Sequence, residues 1–140
     1  MKRVTWVVLL IGGFSHAAFA NEIDLQIIKQ LESGGNRWAF NKHSQARGLY
    51  QISRIARRDY VQRTGDFVSE LDLHIPARSR QIAIWMLRKR LPEILKANGK
   101  KICKENILIA WHAGHTKVGR KIPRSTRAFI AQYNKLEKRR

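Results

Sequence analysis

Apolar residues recur every three or four positions along the chain beyond its first twenty residues, and no stretch alternates apolar with polar long enough to form a half-buried strand. No two strand-like runs are joined by Asn-Gly or Asp-Gly, so the spacing predicts an all-α domain. A first helix is predicted from Glu22 to Glu32, with Ile23, Ile27, Ile28 and Leu31 on one apolar face and Gly34 and Gly35 as its stop. The polar stretch from Asn36 to Leu49 reads as a surface loop ending in Ala46-Arg47-Gly48. Further helices are predicted at about Ser53–Arg63, interrupted by Thr64-Gly65-Asp66, and from Pro76, which suits a first helical position, to about Leu91. Because Ile82 to Leu87 is apolar on all sides, that helix is expected to be the central buried one. A short segment ends at Asn98-Gly99, another runs from Ile107 to Ala113 and closes at Gly114, and the last spans Pro123 to about Lys138. Phe129, Ile130, Tyr133 and Leu136 form the inward face of the last helix. No internal repeat or linker breaks this pattern, which leaves one domain.

Residues 1–20 read as a secretory signal peptide. Lys2 and Arg3 open it, Val4 to Phe14 is apolar, and Ala18-Phe19-Ala20 is a small-residue exit that places cleavage before Asn21. The apolar run is too short for a hydrocarbon core that needs about 20 helical residues. The expected mature domain is therefore 21–140, exported to the periplasm or beyond. Lys and Arg number 28 against 10 Asp and Glu, a formal charge of +18, and loss of Lys2 and Arg3 lowers it to +16. In an exported protein such a charge fits anionic wall polymers, lipid headgroups or lipopolysaccharide, or equally, since it is spread along the chain, a solubilised surface with no dedicated partner; no nucleic-acid module is recognisable. Cys103 is the only cysteine, so no internal disulfide can form and the fold must rest on packing. Only 9 Gly and 3 Pro exclude a collagen-like or low-complexity chain.

Several kinds of site are missing from the sequence. There is no glycine-rich phosphate loop, no HExxH and no CxxC, so no cofactor is expected. His112 and His115 lack an evident third ligand, so no metal is expected either. The informative segments are Glu32-Ser33-Gly34-Gly35, Gly48-Leu49-Tyr50-Gln51-Ile52 and Ala110-Trp111-His112-Ala113-Gly114. A carboxylate in the last turn of a helix faces the negative end of the helix dipole, which pushes its pKa up and makes Glu32 a candidate general acid. Taken alone, these residues favour the plainer reading, an exposed glutamate that has no role. Glycosidases usually pair two carboxylates, and Asp24, eight residues earlier on the same predicted helix, is about 12 Å away, too far for that pair. Asp59, Asp66, Glu70 and Asp72 stay open as second acids.

In order and over nearly the whole mature chain, these segments resemble the SLT-type lytic transglycosylase family. Its Glu-Ser pair matches Glu32-Ser33, its Gly-Leu-Met-Gln matches Gly48-Leu49-Tyr50-Gln51, and its Ala-Tyr-Asn-Ala-Gly matches Ala110-Trp111-His112-Ala113-Gly114. A last family segment, Glu-Thr-x-x-Tyr-Val, is similar to Ser125-Thr126-Arg127-Ala128-Phe129-Ile130. The sequence departs from the family at Trp111-His112, at Tyr50, and at Phe129, where the usual phenol is absent.

The resemblance implies a single all-α, lysozyme-like domain with a substrate cleft, akin to goose-type lysozymes. It also implies cleavage of the β-1,4 bond between N-acetylmuramic acid and N-acetylglucosamine, with Glu32 acting first as acid and then as base to close a 1,6-anhydro ring. No second carboxylate is required, because the substrate's own N-acetyl group stabilises the emerging cation. Substrate contacts fall to Ser33, Tyr50, Gln51, Trp111 and His112: Gln51 places the acetamido group or the acid, Tyr50 offers a hydroxyl, Trp111 a stacking face or a core side chain, and His112 a polar contact. The implied partners are peptidoglycan glycan strands and, by analogy, components of a secretion, conjugation or pilus apparatus, with the enzyme a monomer. A hydrolytic muramidase using the same Glu32, or a non-catalytic cationic wall-binding protein, is the alternative.

Overall fold

The computed structural model describes residues 22–140, so the signal peptide expected over 1–20 lies outside the described residues. Helix α1 spans Leu25–Ser33 and begins later than Glu22 because Asp24 caps it: its Oδ1 accepts the backbone N–H groups of Gln26 at 2.8 Å and Ile27 at 3.4 Å. The helix ends where Gly34 turns left-handed at φ 62°. The start of α1 is tied to the far end of the chain, since the backbone N–H of Asp24 donates to the phenol oxygen of buried Tyr133 at 2.7 Å. Tyr133→Phe would leave that N–H without its partner, and is expected to lower stability by about 1–3 kcal/mol. Urea denaturation measures this, and an unchanged midpoint would mean that water replaces the bond at no cost.

The stretch from Asn36 to Leu49 is not all loop. Strands β1, Phe40–Asn41, and β2, Ala46–Arg47, pair antiparallel, with Phe40 opposite Arg47 and Asn41 opposite Ala46. Strands this short carry no readable alternation. The turn is set by side chains, because Asn41 Oδ1 accepts from His43 N at 2.9 Å and Ser44 N at 3.2 Å, and Gln45 adopts φ 57°. Arg47 and Ile52 then exchange backbone hydrogen bonds of 3.1 and 3.0 Å, which folds the Gly48–Gln51 turn tightly back on itself.

Helix α2, Arg54–Thr64, is capped by Ser53 and stopped by left-handed Gly65, close to its predicted limits. A 3-10 turn over Leu71–His74 leads to α3, Pro76–Trp85. The rod does not stop near Leu91. It widens into a π-helical turn at Met86–Arg90 and continues as α4, Leu91–Ala97. Pro92 explains the widening: it has no N–H to donate, and in a regular helix its ring would meet the Arg88 carbonyl. The wide turn, closed by Leu91 N–H to Met86 O, accommodates it. Ile82, Ala83 and Leu87 are fully buried as expected of a central helix, whereas Ile84, Trp85 and Met86 keep partial exposure.

Helix α5, Lys104–Ala113, starts with partly buried Cys103 at its cap position and buries Ile107, Leu108, Ile109 and Ala110. After a 3-10 turn at His115–Lys117 comes α6, Arg124–Glu137, which buries Thr126, Phe129 and Tyr133. Both α1 and α5 pack on α6, so the two chain segments with the most specific motifs meet over one support. The architecture is an all-α, lysozyme-like domain with one small hairpin. Among the described residues no helix is long and apolar enough to cross a membrane.

Candidate active site

Glu32 lies in the last turn of α1 with its carboxyl partly buried. The indole Nε1–H of Trp111, two residues from the end of α5, donates to its Oε1 at 2.8 Å. Burial holds the Glu32 pKa up at about 7, against the smaller opposing pull of that indole hydrogen bond. The upward direction matches the expectation from the helix end, and loss of water around the carboxyl is its leading cause. At neutral pH about half of the molecules therefore carry a protonated Glu32, where an ordinary glutamate would be protonated in roughly one in three hundred.

The neighbouring residues hold this helix end in place. Ser33 Oγ lies 2.8 Å from the Leu49 carbonyl and 3.1 Å from that of Lys29, and accepts the Gly35 N–H at 3.2 Å. Its hydroxyl pins α1 to the Gly48–Gln51 turn. Gly48 has φ 77°, and a Cβ there would overlap the Leu73 carbonyl oxygen, so the turn is pressed against the 3-10 segment behind it. Gln51 sits at φ 47°, unusual for a residue with a side chain, and its Nε2 donates to Gly48 O at 3.1 Å and Ala39 O at 3.3 Å. Its amide nitrogen thus fastens the hairpin to the turn, and its side-chain carbonyl oxygen makes no hydrogen bond among the described residues.

Of the residues named from sequence, the structure joins Glu32 to Trp111 by a direct hydrogen bond and Ser33 to the turn that carries Gln51. Tyr50 is placed otherwise. Its side chain is only 2% exposed, its pKa is raised by burial, and the charges it feels are those of Arg80 and of Asp24, at the opposite end of α1 from Glu32. It is a core residue. His112 makes no hydrogen bond to Glu32. Its Nδ1 lies 3.0 Å from Thr126 Oγ1, its ring stacks on Phe129 at 4.6 Å between centroids, and burial lowers its pKa, keeping it neutral. Successive residues on a helix point about 100° apart, so Trp111 can face α1 while His112 faces α6.

Trp38 is missed by sequence reasoning. It stands in the loop six residues beyond Glu32, is 64% exposed, and is held by the His74 ring at 5.2 Å and the Arg37 guanidinium at 4.7 Å. The only signal in the sequence is an aromatic within a polar loop.

Seven of the other acids have partners. Asp24 pairs with Arg140, Asp59 with Arg63 and Arg90, Asp66 with Arg78, Glu70 with Arg47 and Arg57, Glu93 with Arg90 and Glu137 with Lys104, and Asp72 bonds Ser69. Glu22 and Glu105 are exposed. Charge is segregated: no acid occurs between Asn106 and Leu136, and Lys117, Arg120, Lys121, Arg124 and Arg127 follow directly after the Trp111 helix. Among the described residues none of these five forms an ion pair, and no group of three His, Cys, Asp or Glu side chains is placed to hold a metal ion.

No curated protein and no solved structure matches this chain in sequence or fold comparison. A family model does: the Transglycosylase SLT domain matches residues 16–134. The matched span takes in α1, the hairpin, the glycine turn and α5, and ends within α6, so it contains every segment that converges on Glu32. The chain therefore belongs to the SLT transglycosylase family and is a peptidoglycan lytic transglycosylase, a lyase-type enzyme that cleaves glycosidic bonds.

Proposed function

We propose that Glu32 protonates the oxygen of the β-1,4 bond between N-acetylmuramic acid and N-acetylglucosamine, and that the product is a 1,6-anhydro sugar. One observation carries the reading: Glu32 is the partly buried acid whose pKa stands near 7, while the remaining described carboxylates are in ion pairs, bonded to Ser69, or out in solvent. With no second carboxylate free beside it, the acid that gives the proton is also the base that recovers one. The proton of Glu32 passes to the glycosidic oxygen, the C1–O bond breaks, and its electron pair leaves with that oxygen. The substrate's N-acetyl oxygen stabilises C1. The C6 hydroxyl then bonds to C1 while Glu32, now a carboxylate, accepts its proton.

Gln51 offers its free carbonyl oxygen to the acetamido N–H, and exposed Trp38 offers a face for a sugar ring. The unpaired cations after α5 suit a substrate whose peptide stems bear carboxylates. In this reading the enzyme works as a monomer on glycan strands after export, opening the wall for a secretion, conjugation or pilus apparatus.

Mass spectrometry of soluble products from purified peptidoglycan tests it. Muropeptides lighter by one water than the reducing forms are expected. Reducing ends would instead assign hydrolysis, the second reading open to a single acid beside solvent.

A further inference from the structure

The hydrogen bond between Trp111 and Glu32 constrains the reaction more than a stacking face would. An indole N–H can donate but cannot accept. The proton of the acid form therefore cannot lie between Nε1 and Oε1. Of the two carboxyl oxygens the carbonyl-like one is the better acceptor, so the indole at 2.8 Å selects Oε1 as the carbonyl and leaves the proton on Oε2. After the proton has left, the same N–H faces the charge on Oε1, and Oε2 stays free to take the next proton. Among the described residues no other group bonds the carboxyl. Burial and this indole are the two influences on Glu32, with no charged side chain among them, and Phe129, at the position where the family resemblance places a phenol, has no hydroxyl and lies 7% exposed against the His112 ring.

We propose that Trp111 is the positioning residue for Glu32: its Nε1–H fixes Oε1, so that Oε2 alone delivers the proton to the glycosidic oxygen and later accepts the proton of the C6 hydroxyl. The carboxyl then need not rotate between the two halves of the reaction. This rests on the proposed role of Glu32. A phenol hydroxyl both donates and accepts, so an indole at position 111 gives this chain a donor with only one possible direction.

The test compares the full mature chain, Trp111→Phe and Glu32→Gln. Trp111→Phe keeps an aromatic ring and removes the donor. It is expected to lower kcat by about 10–100-fold, as for loss of a hydrogen bond to a charged group, with KM within about twofold. The alkaline limb of its pH profile should move to higher pH, because the bond that favours the carboxylate is gone.

A raised KM with kcat and the alkaline limb unchanged would assign Trp111 to sugar stacking and overturn the proposal. If Glu32→Gln remains active, the role of Glu32 itself fails. If Glu32→Gln is inactive while Trp111→Phe matches the parent, only the positioning role fails. A second readout does not require any Trp111 variant to fold: the Trp111 indole N–H resonance should titrate near pH 7 in the parent and stay flat in Glu32→Gln. An indole resonance indifferent to pH in the parent would overturn the proposal.

Discussion

Glu32→Gln is expected to lower peptidoglycan turnover by about 10²–10⁴-fold, the span that a positioned general acid contributes, while leaving the protein folded and at least as stable. The amide keeps an oxygen for the Trp111 N–H but has no proton to give near neutral pH. The stability effect has a sign that depends on pH. Below pH 4.5, the ordinary value, Glu32 is protonated in both folded and unfolded chains, and the substitution changes little. Between 4.5 and about 7 the unfolded chain ionises while the folded one holds its proton, so the parent loses stability as pH rises through this window. At pH 8 that loss has an upper bound of about 3 kcal/mol, at 1.36 kcal/mol per pH unit, reduced by the solvent that still reaches the carboxyl. Gln escapes it. Thermal melts of the two proteins should therefore coincide at pH 4 and separate at pH 8, with Glu32→Gln the more stable. Equal melts at both pH values would mean that Glu32 is not held near neutrality.

Gly48→Ala is expected to have the largest effect on the fold. The left-handed backbone at φ 77° costs an alanine about 1–2 kcal/mol, and overlap with the Leu73 carbonyl adds about 1–3 kcal/mol. Set against a typical total of about 5–15 kcal/mol, this should lower Tm by on the order of 10–20 °C. Gly99→Ala is the control: it has φ 63° and open space around a Cβ, so only the backbone part applies. Similar melting losses in the two variants would mean that the 3-10 segment moves away from the new methyl at no cost. Because Gly48 N–H bonds Ala39 O at 3.0 Å, Gly48→Ala should also loosen the hairpin and reduce activity in whatever protein remains folded.

The parts of this molecule legible in the sequence are those set by neighbours along the chain. Gly34 and Gly65 end helices, Ser53 caps one and Pro76 opens another, each through backbone geometry within a few residues. Pro92 carries a signal for the π-helical turn, but it lies just beyond Leu91, where it reads equally well as a helix stop. Asp24 was as visible a cap as Ser53, yet Glu22 and Ile23 fit the apolar period well enough to extend the helix on paper. The hairpin is too short for any periodicity.

At the site, sequence places Glu32 at a helix end and gives the direction of its pKa. The cause lies in burial, which depends on what packs against the helix. The same is true of Tyr50, whose motif position suggests the cleft and whose side chain fills the core. Trp111 could be read as a stacking face or as core. Its bond to Glu32 joins residues 79 positions apart, and no local pattern encodes a contact of that separation.

That separation bears on when the enzyme becomes active. On the proposed mechanism the proton-donating form of Glu32 at neutral pH depends on the burial that the folded chain gives the end of α1; without that burial the carboxyl returns to an ordinary glutamate and is nearly always ionised. A chain still emerging from synthesis carries Glu32 long before the residues that bury it have folded, and its carboxyl is ionised like any other. If Glu32 is the acid as proposed, the chemistry is latent until distant segments fold together, so that completion of folding itself arms the enzyme.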